Sequence, residues 1–179
     1  MSILGITILN EITDKYILDA NEILNHLRQD IIDVLYKYSN TLDKRDGMDM
    51  ALFIIDKKDQ TLQFSGANNP LYIVRNKKLI QYKADKMQIG IPSNSLSSFT
   101  NQKIKFQKGD SCYIFTDGYI DQFDASNENK FKTKKLQSLL VEISEKPMSE
   151  QKNILNNTLE NWKGDVEQTD DISFLGIKF

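Results

Sequence analysis

The feature that most constrains the fold is a series of short apolar segments with turn residues between them, over residues 49–116. Residues 49–56 carry six consecutive apolar residues, at positions 50–55, which predicts a central strand covered on both faces. Residues 61–66 alternate instead, with Leu62 and Phe64 on the predicted core side. Because polar turns join most of these segments, the pattern predicts hairpins and therefore antiparallel sheet.

Helical patterns stand on both sides of the predicted sheet. Residues 19–38 carry a core-facing apolar stripe, and Asp19 with Glu22 forms the capping-box pattern that begins a helix. Residues 1–12 also fit the apolar stripe of a helix, although their β-branched residues make a strand possible as well. Helices at both ends indicate α+β layers rather than a doubly wound parallel sheet. The remaining predicted elements are two helices and a last strand: residues 131–143, 148–162 and 171–179.

Composition and charge exclude several classes of protein. The net charge of -2 over 179 residues gives no reason to expect binding to nucleic acid or to a membrane surface. The one cysteine, Cys112, lies in a predicted apolar strand, so we expect a buried, inert thiol. The one histidine, His26, lies on a predicted helix, and no Gly-x-Ser-x-Gly motif accompanies it. We find no pattern of a secretory signal or a membrane span, so we expect a cytoplasmic location.

Two acidic positions at predicted strand ends are the candidate functional residues. Asp117 and Gly118 follow the apolar strand 111–116, and Asp170 with Asp171 precedes the last strand. Carboxylates on neighbouring strand ends are typical ligands of Mg²⁺ or Mn²⁺, and two such ions can activate water toward phosphorus. However, Asp-Gly is one of the commonest turn signals, and an Asp-Asp pair before a strand is usually solvated surface. Spacing alone leaves both interpretations open.

Five segments together carry a more specific pattern. They are Gly-Met-Asp-Met-Ala-Leu at 47–52, Phe-Ser-Gly-Ala-Asn-Asn-Pro-Leu at 64–71, Lys-Gly-Asp at 108–110, Phe-Thr-Asp-Gly at 115–118 and Asp-Asp-Ile at 170–172. In this order they resemble the SpoIIE-type branch of the metal-dependent serine/threonine protein phosphatases, the type 2C-like superfamily. The resemblance spans residues 1–179 and implies a single domain. Its fold would be an antiparallel β-sandwich flanked by helices, with two Mn²⁺ or Mg²⁺ ions at one end.

The resemblance also implies an activity and a set of partners. The expected enzyme is a hydrolase in signal transduction, which removes phosphate from phosphoserine or phosphothreonine by direct attack of a metal-bound hydroxide. Its expected substrate is a phosphorylated regulatory protein such as an anti-sigma-factor antagonist, and its parent chain would carry an upstream sensor domain.

The resemblance implies roles for individual residues as well. By matching motif, Asp117 and Asp170 resemble metal ligands, with Gly118 beside the first of them. Asp171 occupies a position that varies in the superfamily. Asn68 matches a recurrent family position, for which we favour a structural role.

The sequence departs from the family pattern at one motif. The family carries an upstream Asp-x-x-Gly-His-Gly strand whose Asp bridges the two metals, and this sequence contains no Gly-His-Gly. Residues 1–5 resemble the helix immediately after that motif, and the first helical run begins without a capping residue. We therefore expect an N-terminally incomplete domain, the C-terminal portion of the family fold. We expect at most one weak metal site, no catalytic residue within the chain, and no activity in this truncated form.

Two other classes of function stay open. A phosphatase-like fold without catalysis would serve as an interaction or oligomerisation module, because missing strands leave sheet edges that a second copy can cover in a homodimer. A sensor domain that binds a small ligand between sheet and helices is the other class, and no motif supports it.

Overall fold

The computed structural model describes residues 2–15, 19–38, 47–91 and 97–179. Within these ranges the chain forms five helices and nine strands. The helices are α1 (Ser2–Lys15), α2 (Ala20–Tyr38), α3 (Gly118–Asp121), α4 (Thr133–Ile143) and α5 (Met148–Lys163). The strands are β1 (Gly47–Met48), β2 (Met50–Asp56), β3 (Thr61–Ala67), β4 (Leu71–Arg75), β5 (Lys78–Tyr82), β6 (Ile89–Gly90), β7 (Gln102–Lys105), β8 (Ser111–Phe115) and β9 (Phe174–Lys178).

All neighbouring strands in the described sheets are antiparallel, as the hairpin pattern predicts. One sheet has the order β2-β3-β7, another has the order β5-β4-β8-β9, and β1 pairs with β6. Together with the helices, these sheets confirm the α+β class. The chain divides into two compact units, Met1–Pro70 with Lys83–Phe106 and Leu71–Tyr82 with Gln107–Phe179. The single phosphatase domain over residues 1–179 stays a prediction.

The first unit combines α1 and α2 with the sheet β2-β3-β7. Residues 2–15 form a helix, which decides between the two alternatives that their sequence leaves open. At the start of α2 the backbone N–H of Asp19 donates to Glu22 Oε2 at 3.0 Å, which is the Glu22 half of the predicted capping box. The core-facing residues of α2 are buried in one apolar cluster: Ile23, Leu24, Leu27, Ile31 and Leu35.

Strand β2 differs from the predicted central strand with both faces covered. Within the described residues it pairs with β3 and with no second strand. Its apolar residues, from Met50 to Ile55, are all half-buried. The prediction was wrong because a continuous apolar run reports hydrophobicity on both faces of a strand, whereas the neighbours of that strand depend on distant parts of the chain.

In the second unit, α4 and α5 contribute to the same core as the sheet β5-β4-β8-β9. Aromatic side chains fill the middle of this core, where Phe115 stacks on Phe174 with ring centroids 5.3 Å apart. Tyr113 and Tyr119 approach Phe174 edge-on. Leucines from both helices complete the cluster: Leu136, Leu140, Leu155 and Leu159.

Cys112 lies in β8 and is buried. Burial raises the pKa of its thiol to about 12. The thiol is therefore protonated at neutral pH, and it is not a nucleophile. The prediction of a buried, inert cysteine agrees with this environment.

One buried ion pair joins the end of β4 to the turn before β8. Arg75 donates to Asp110 through Nε at 2.9 Å and Nη2 at 2.6 Å, and the backbone N–H of Gln107 donates to the same carboxylate. The Asp110 side chain is only 2% exposed. The backbone carbonyl of Asp110 accepts the N–H of Phe179, so this residue also anchors the chain after β9.

We expect Asp110→Ala to lower the free energy of unfolding by about 3 kcal/mol, because the variant removes the buried carboxylate to which the Arg75 guanidinium and the Gln107 N–H donate. Urea unfolding followed by the fluorescence of Trp162, the one tryptophan, measures this change. Glu145→Ala is the matched control. Glu145 pairs with Lys77, which lies on the same hairpin as Arg75, but both side chains of this pair are exposed. That variant should cost less than about 1 kcal/mol, and equal losses in the two variants would contradict the prediction.

Candidate metal centre

The end of β8 and the segment before β9 are joined by the side chain of Thr116. The backbone N–H of Thr116 donates to the carbonyl of Ser173 at 3.0 Å. The Thr116 hydroxyl donates to the carbonyl of Asp171 at 2.8 Å and accepts the N–H of Ser173 at 2.9 Å. These bonds continue the contact between the two strands beyond the last ladder pair, Phe115 with Phe174.

Asp117 is the N-cap residue of α3, a single helical turn, with φ -67° and ψ -19°. Its carbonyl accepts the N–H groups of Ile120 and Asp121 at 2.9 and 3.0 Å. Its side chain makes no capping hydrogen bond and is exposed. The carboxylate is therefore held at the end of β8 by a fixed backbone and is accessible from solvent.

Gly118 brings this turn against the backbone of Asp171. A Cβ at position 118 would lie 2.5 Å from the carbonyl oxygen of Asp171 and 3.0 Å from its carbonyl carbon. It would also lie 3.1 Å from the Ile172 side chain. Only a residue without a side chain allows two backbone segments to approach this closely. Gly118 therefore sets the distance between the two acidic segments.

Asp170 and Asp171 are both exposed and lie outside the regular part of β9. The Asp170 carboxylate accepts the N–H of Asp171 at 2.7 Å, and its carbonyl accepts the side chain of Gln168 at 2.7 Å. The last strand begins at Phe174 and not at Asp171 as predicted. The reason is that the carbonyl of Asp171 bonds to the Thr116 side chain instead of to a backbone N–H.

Gln122 is the residue of this region that sequence reasoning missed. Its side chain is buried, donates to the carbonyl of Glu167 at 3.1 Å and accepts the N–H of Thr169 at 3.2 Å. Its carbonyl accepts the indole N–H of Trp162 at 3.0 Å. Gln122 thus holds the segment that leads directly to Asp170. The only signal in the sequence was a glutamine among the acidic residues of the loop, which is too weak to indicate burial.

The other acidic residues of the loop after Asp117 have partners within that loop. Asp121 pairs with Lys130 at 3.0 Å. Asp124 accepts hydrogen bonds from Ser126 and Asn129, and these bonds lower the pKa of its carboxyl group. Both carboxylates are therefore engaged within the loop itself.

Asn68 lies in the first unit, directly after β3. It adopts a left-handed conformation with φ 61°, and its side chain donates to Asp49 at 2.7 Å. Asparagine tolerates this conformation better than most residues. These contacts support the structural role that the sequence favours for Asn68.

The backbone contacts bring the two acidic segments together, but they do not by themselves make a metal site. Across residues 2–15, 19–38, 47–91 and 97–179, no three Asp, Glu, His or Cys side chains form a group that could hold a metal ion. Asp117, Asp170 and Asp171 provide the hard oxygen donors that Mg²⁺ and Mn²⁺ prefer. They do not make the two-ion site that the resemblance implies. The ligand roles of these residues stay predictions.

Solved structures share this fold. The SiaA-PP2C domain of Pseudomonas aeruginosa matches with a TM-score of 0.86 at 24% identity, over 99% of this chain and 68% of that chain. The RsbU and RsbW domains of a Mycobacterium tuberculosis protein match with a TM-score of 0.71 at 17% identity, over 96% of this chain and 45% of that chain. RsbX in complex with magnesium matches with a TM-score of 0.63 at 11% identity, over 98% of this chain and 70% of that chain.

The fold is therefore that of the PP2C-type phosphatase domains. The comparison with curated proteins gives no match. The family described as Stage II sporulation protein E (SpoIIE) matches residues 2–179. The chain belongs to the SpoIIE family, and it spans less than half of the Mycobacterium chain to which it is similar.

We expect Gly118→Ala to destabilise the second unit by about 2 kcal/mol, because the new methyl group meets the backbone of Asp171, which cannot move aside without breaking the Thr116 bonds. Urea unfolding measures the loss. The control is Gly5→Ala in α1, where a Cβ would meet the end of the Met48 side chain, which can turn away. Because alanine also favours a helix, that variant should be neutral or more stable. A Gly118→Ala variant as stable as the parent would contradict the close contact.

Proposed function

We propose that this chain is the C-terminal portion of a metal-dependent protein phosphatase domain that hydrolyses phosphoserine or phosphothreonine on a regulatory partner protein. The observation that carries the proposal is the contact of the Asp117-Gly118 turn with Asp171 at the ends of two paired strands. Family membership and fold support the same reaction class. The proposed parent polypeptide contains the remaining carboxylate and an upstream sensor domain.

Each residue of the candidate centre has a proposed role. Asp117 and Asp170 would hold Mn²⁺ or Mg²⁺, with Asp171 as an additional oxygen donor. Gly118 and Thr116 would position these carboxylates through the backbone contacts described above. Bound divalent ions would supply activation of water and neutralisation of phosphate charge. A bridging carboxylate from outside the described residues would be needed for two ions, so we propose that the 179-residue chain by itself is inactive.

The proposed partner is a phosphorylated regulatory protein such as an anti-sigma-factor antagonist, in a signalling pathway. The similarity to a chain that contains RsbU and RsbW domains supports a role of this kind. Within the described residues, no helix is both long enough and apolar enough to cross a membrane. A cytoplasmic location is the prediction from the sequence, and we keep it as part of the proposal.

We expect the 179-residue chain to bind one Mn²⁺ ion weakly, with a dissociation constant of about 1 mM, because its donor set is partial. Paramagnetic broadening of the amide signals of Gly118 and Asp171 during an Mn²⁺ titration measures this binding. Asp117→Asn and Asp170→Asn should each weaken it by at least about tenfold. Asp121→Asn is the control, since Asp121 pairs with Lys130 in the same loop. Equal binding by all three variants would contradict the assigned ligands.

We expect hydrolysis of a phosphoserine protein in Mn²⁺ by a longer polypeptide that contains this chain together with a strand carrying a further aspartate. Release of inorganic phosphate measures turnover. Asp117→Asn in that polypeptide should lower the rate by at least about tenfold, while Asp121→Asn should leave it unchanged. If the longer polypeptide shows no metal-dependent turnover, the proposed activity is wrong.

A non-catalytic interaction module is the second candidate function. One observation favours it, namely that the described residues form no group of three metal-binding side chains. In that case the fold would serve binding alone, and a polypeptide with the further aspartate would hold its partner without releasing phosphate. The turnover measurement therefore separates the two candidates.

A further inference from the structure

Gln122 connects the two acidic segments through one buried side chain. It is the C-cap residue of α3, and Asp117 is the N-cap residue of the same single turn. Its side chain is fully buried, donates to the carbonyl of Glu167 at 3.1 Å and accepts the N–H of Thr169 at 3.2 Å. The turn that carries Asp117 is therefore joined to the residue directly before Asp170.

The segment before Asp170 depends on this side chain for its position. Residues 165–170 form neither helix nor strand, and Val166 is the one half-buried residue among them. Within the part of the chain that the structure describes, the bonds to Gln122 are the only hydrogen bonds that join residues 165–170 to a residue outside 163–171. An exposed segment with so few contacts is otherwise free to take many conformations.

The backbone of Gln122 is itself fixed by the core of the second unit. Its carbonyl accepts the N–H of Phe131 at 2.9 Å and the indole N–H of Trp162 at 3.0 Å. The rings of Phe131 and Trp162 pack edge to face, with their centroids 5.4 Å apart. The amide group of Gln122 therefore extends from a rigid base toward an otherwise weakly held segment. Burial of an amide is costly unless it is hydrogen-bonded, and this one has both a donor and an acceptor partner.

We propose that Gln122 is a positioning residue: its buried amide group holds the Asp170 segment against the Asp117 turn and so sets the separation of the two carboxylates. Every contact that carries this inference lies between residues 117 and 171. Its consequence for metal binding, through Asp170, rests on the proposed function. The placement of the segment does not.

Two buried glutamines of the second unit provide a matched pair of variants. Gln122→Met keeps an unbranched side chain of similar length and removes the bonds of the amide group. Gln151→Met is the control, because Gln151 is 1% exposed and its amide group bonds to Tyr113 and to the carbonyls of Ser144 and Lys146, outside the acidic segments. Both variants lose a buried amide, so urea unfolding should show a lower midpoint for each of them.

Amide exchange and ¹⁵N relaxation of the full chain, without any metal, test the placement of the segment. Because the N–H of Thr169 donates to a buried acceptor, it should be protected in the parent. Gln122→Met should raise its exchange rate by at least about tenfold and should increase the mobility of Asp170. Gln151→Met should leave both unchanged, although its overall stability is also lower.

Mn²⁺ titration of the same variants tests whether Gln122 acts through Asp170. The parent should bind with a dissociation constant of about 1 mM, as proposed above. Gln122→Met should weaken this binding by about tenfold, and Gln151→Met should not change it. In an Asp170→Asn background, Gln122→Met should cause no further loss, because the carboxylate that it positions is already absent.

Three results would overturn the inference. They are equal protection of the Thr169 N–H in Gln122→Met and in the parent, equal loss of that protection in Gln151→Met, and additive losses of Mn²⁺ affinity in the double variant. If the parent binds no Mn²⁺ while Gln122→Met exposes Thr169, the proposed function fails and the placement by Gln122 is supported. Gln122→Asn, whose side chain is too short to reach both partners, replaces Gln122→Met if the fluorescence of Trp162 shows that Gln122→Met does not fold.

Discussion

The antiparallel pairing of β8 with β9 is the interaction on which the candidate centre depends. The ladder ends at Phe115 and Phe174 and continues through the Thr116 side chain. Because the strands run in opposite directions, the end of one lies beside the beginning of the other. Acidic residues far apart in the sequence therefore meet at one edge.

Buried polar side chains help to hold the segments around this centre. Gln122 anchors the residues before Asp170, and Asp110 with Arg75 anchors the turn before β8. Each of these groups is costly to bury without its partners. The position of the carboxylates is therefore coupled to the stability of the unit.

Much of the fold could be predicted because its elements have strong local patterns. The helices α2, α4 and α5 lie where periodicity places them, and the hairpins β2-β3 and β4-β5 lie where the turn residues place them. Leu62 and Phe64 are buried, as their alternation predicts. For the candidate centre, the sequence pointed to both acidic segments, and the structure puts Gly118 against Asp171. The burial of Gln122 could not be predicted, because its partners lie more than a helix away in the chain.

Without a structure, the sequence indicates the type of most elements, the family of the chain and the carboxylates that are candidates for a metal site. These properties depend on neighbouring residues or on short motifs, so they can be recognised without a structure. The tertiary structure alone decided that β2 and β9 are edge strands of the described sheets, and that the acidic segments meet through Thr116 and Gly118. These features arise from contacts between residues distant in the sequence, which no local pattern specifies.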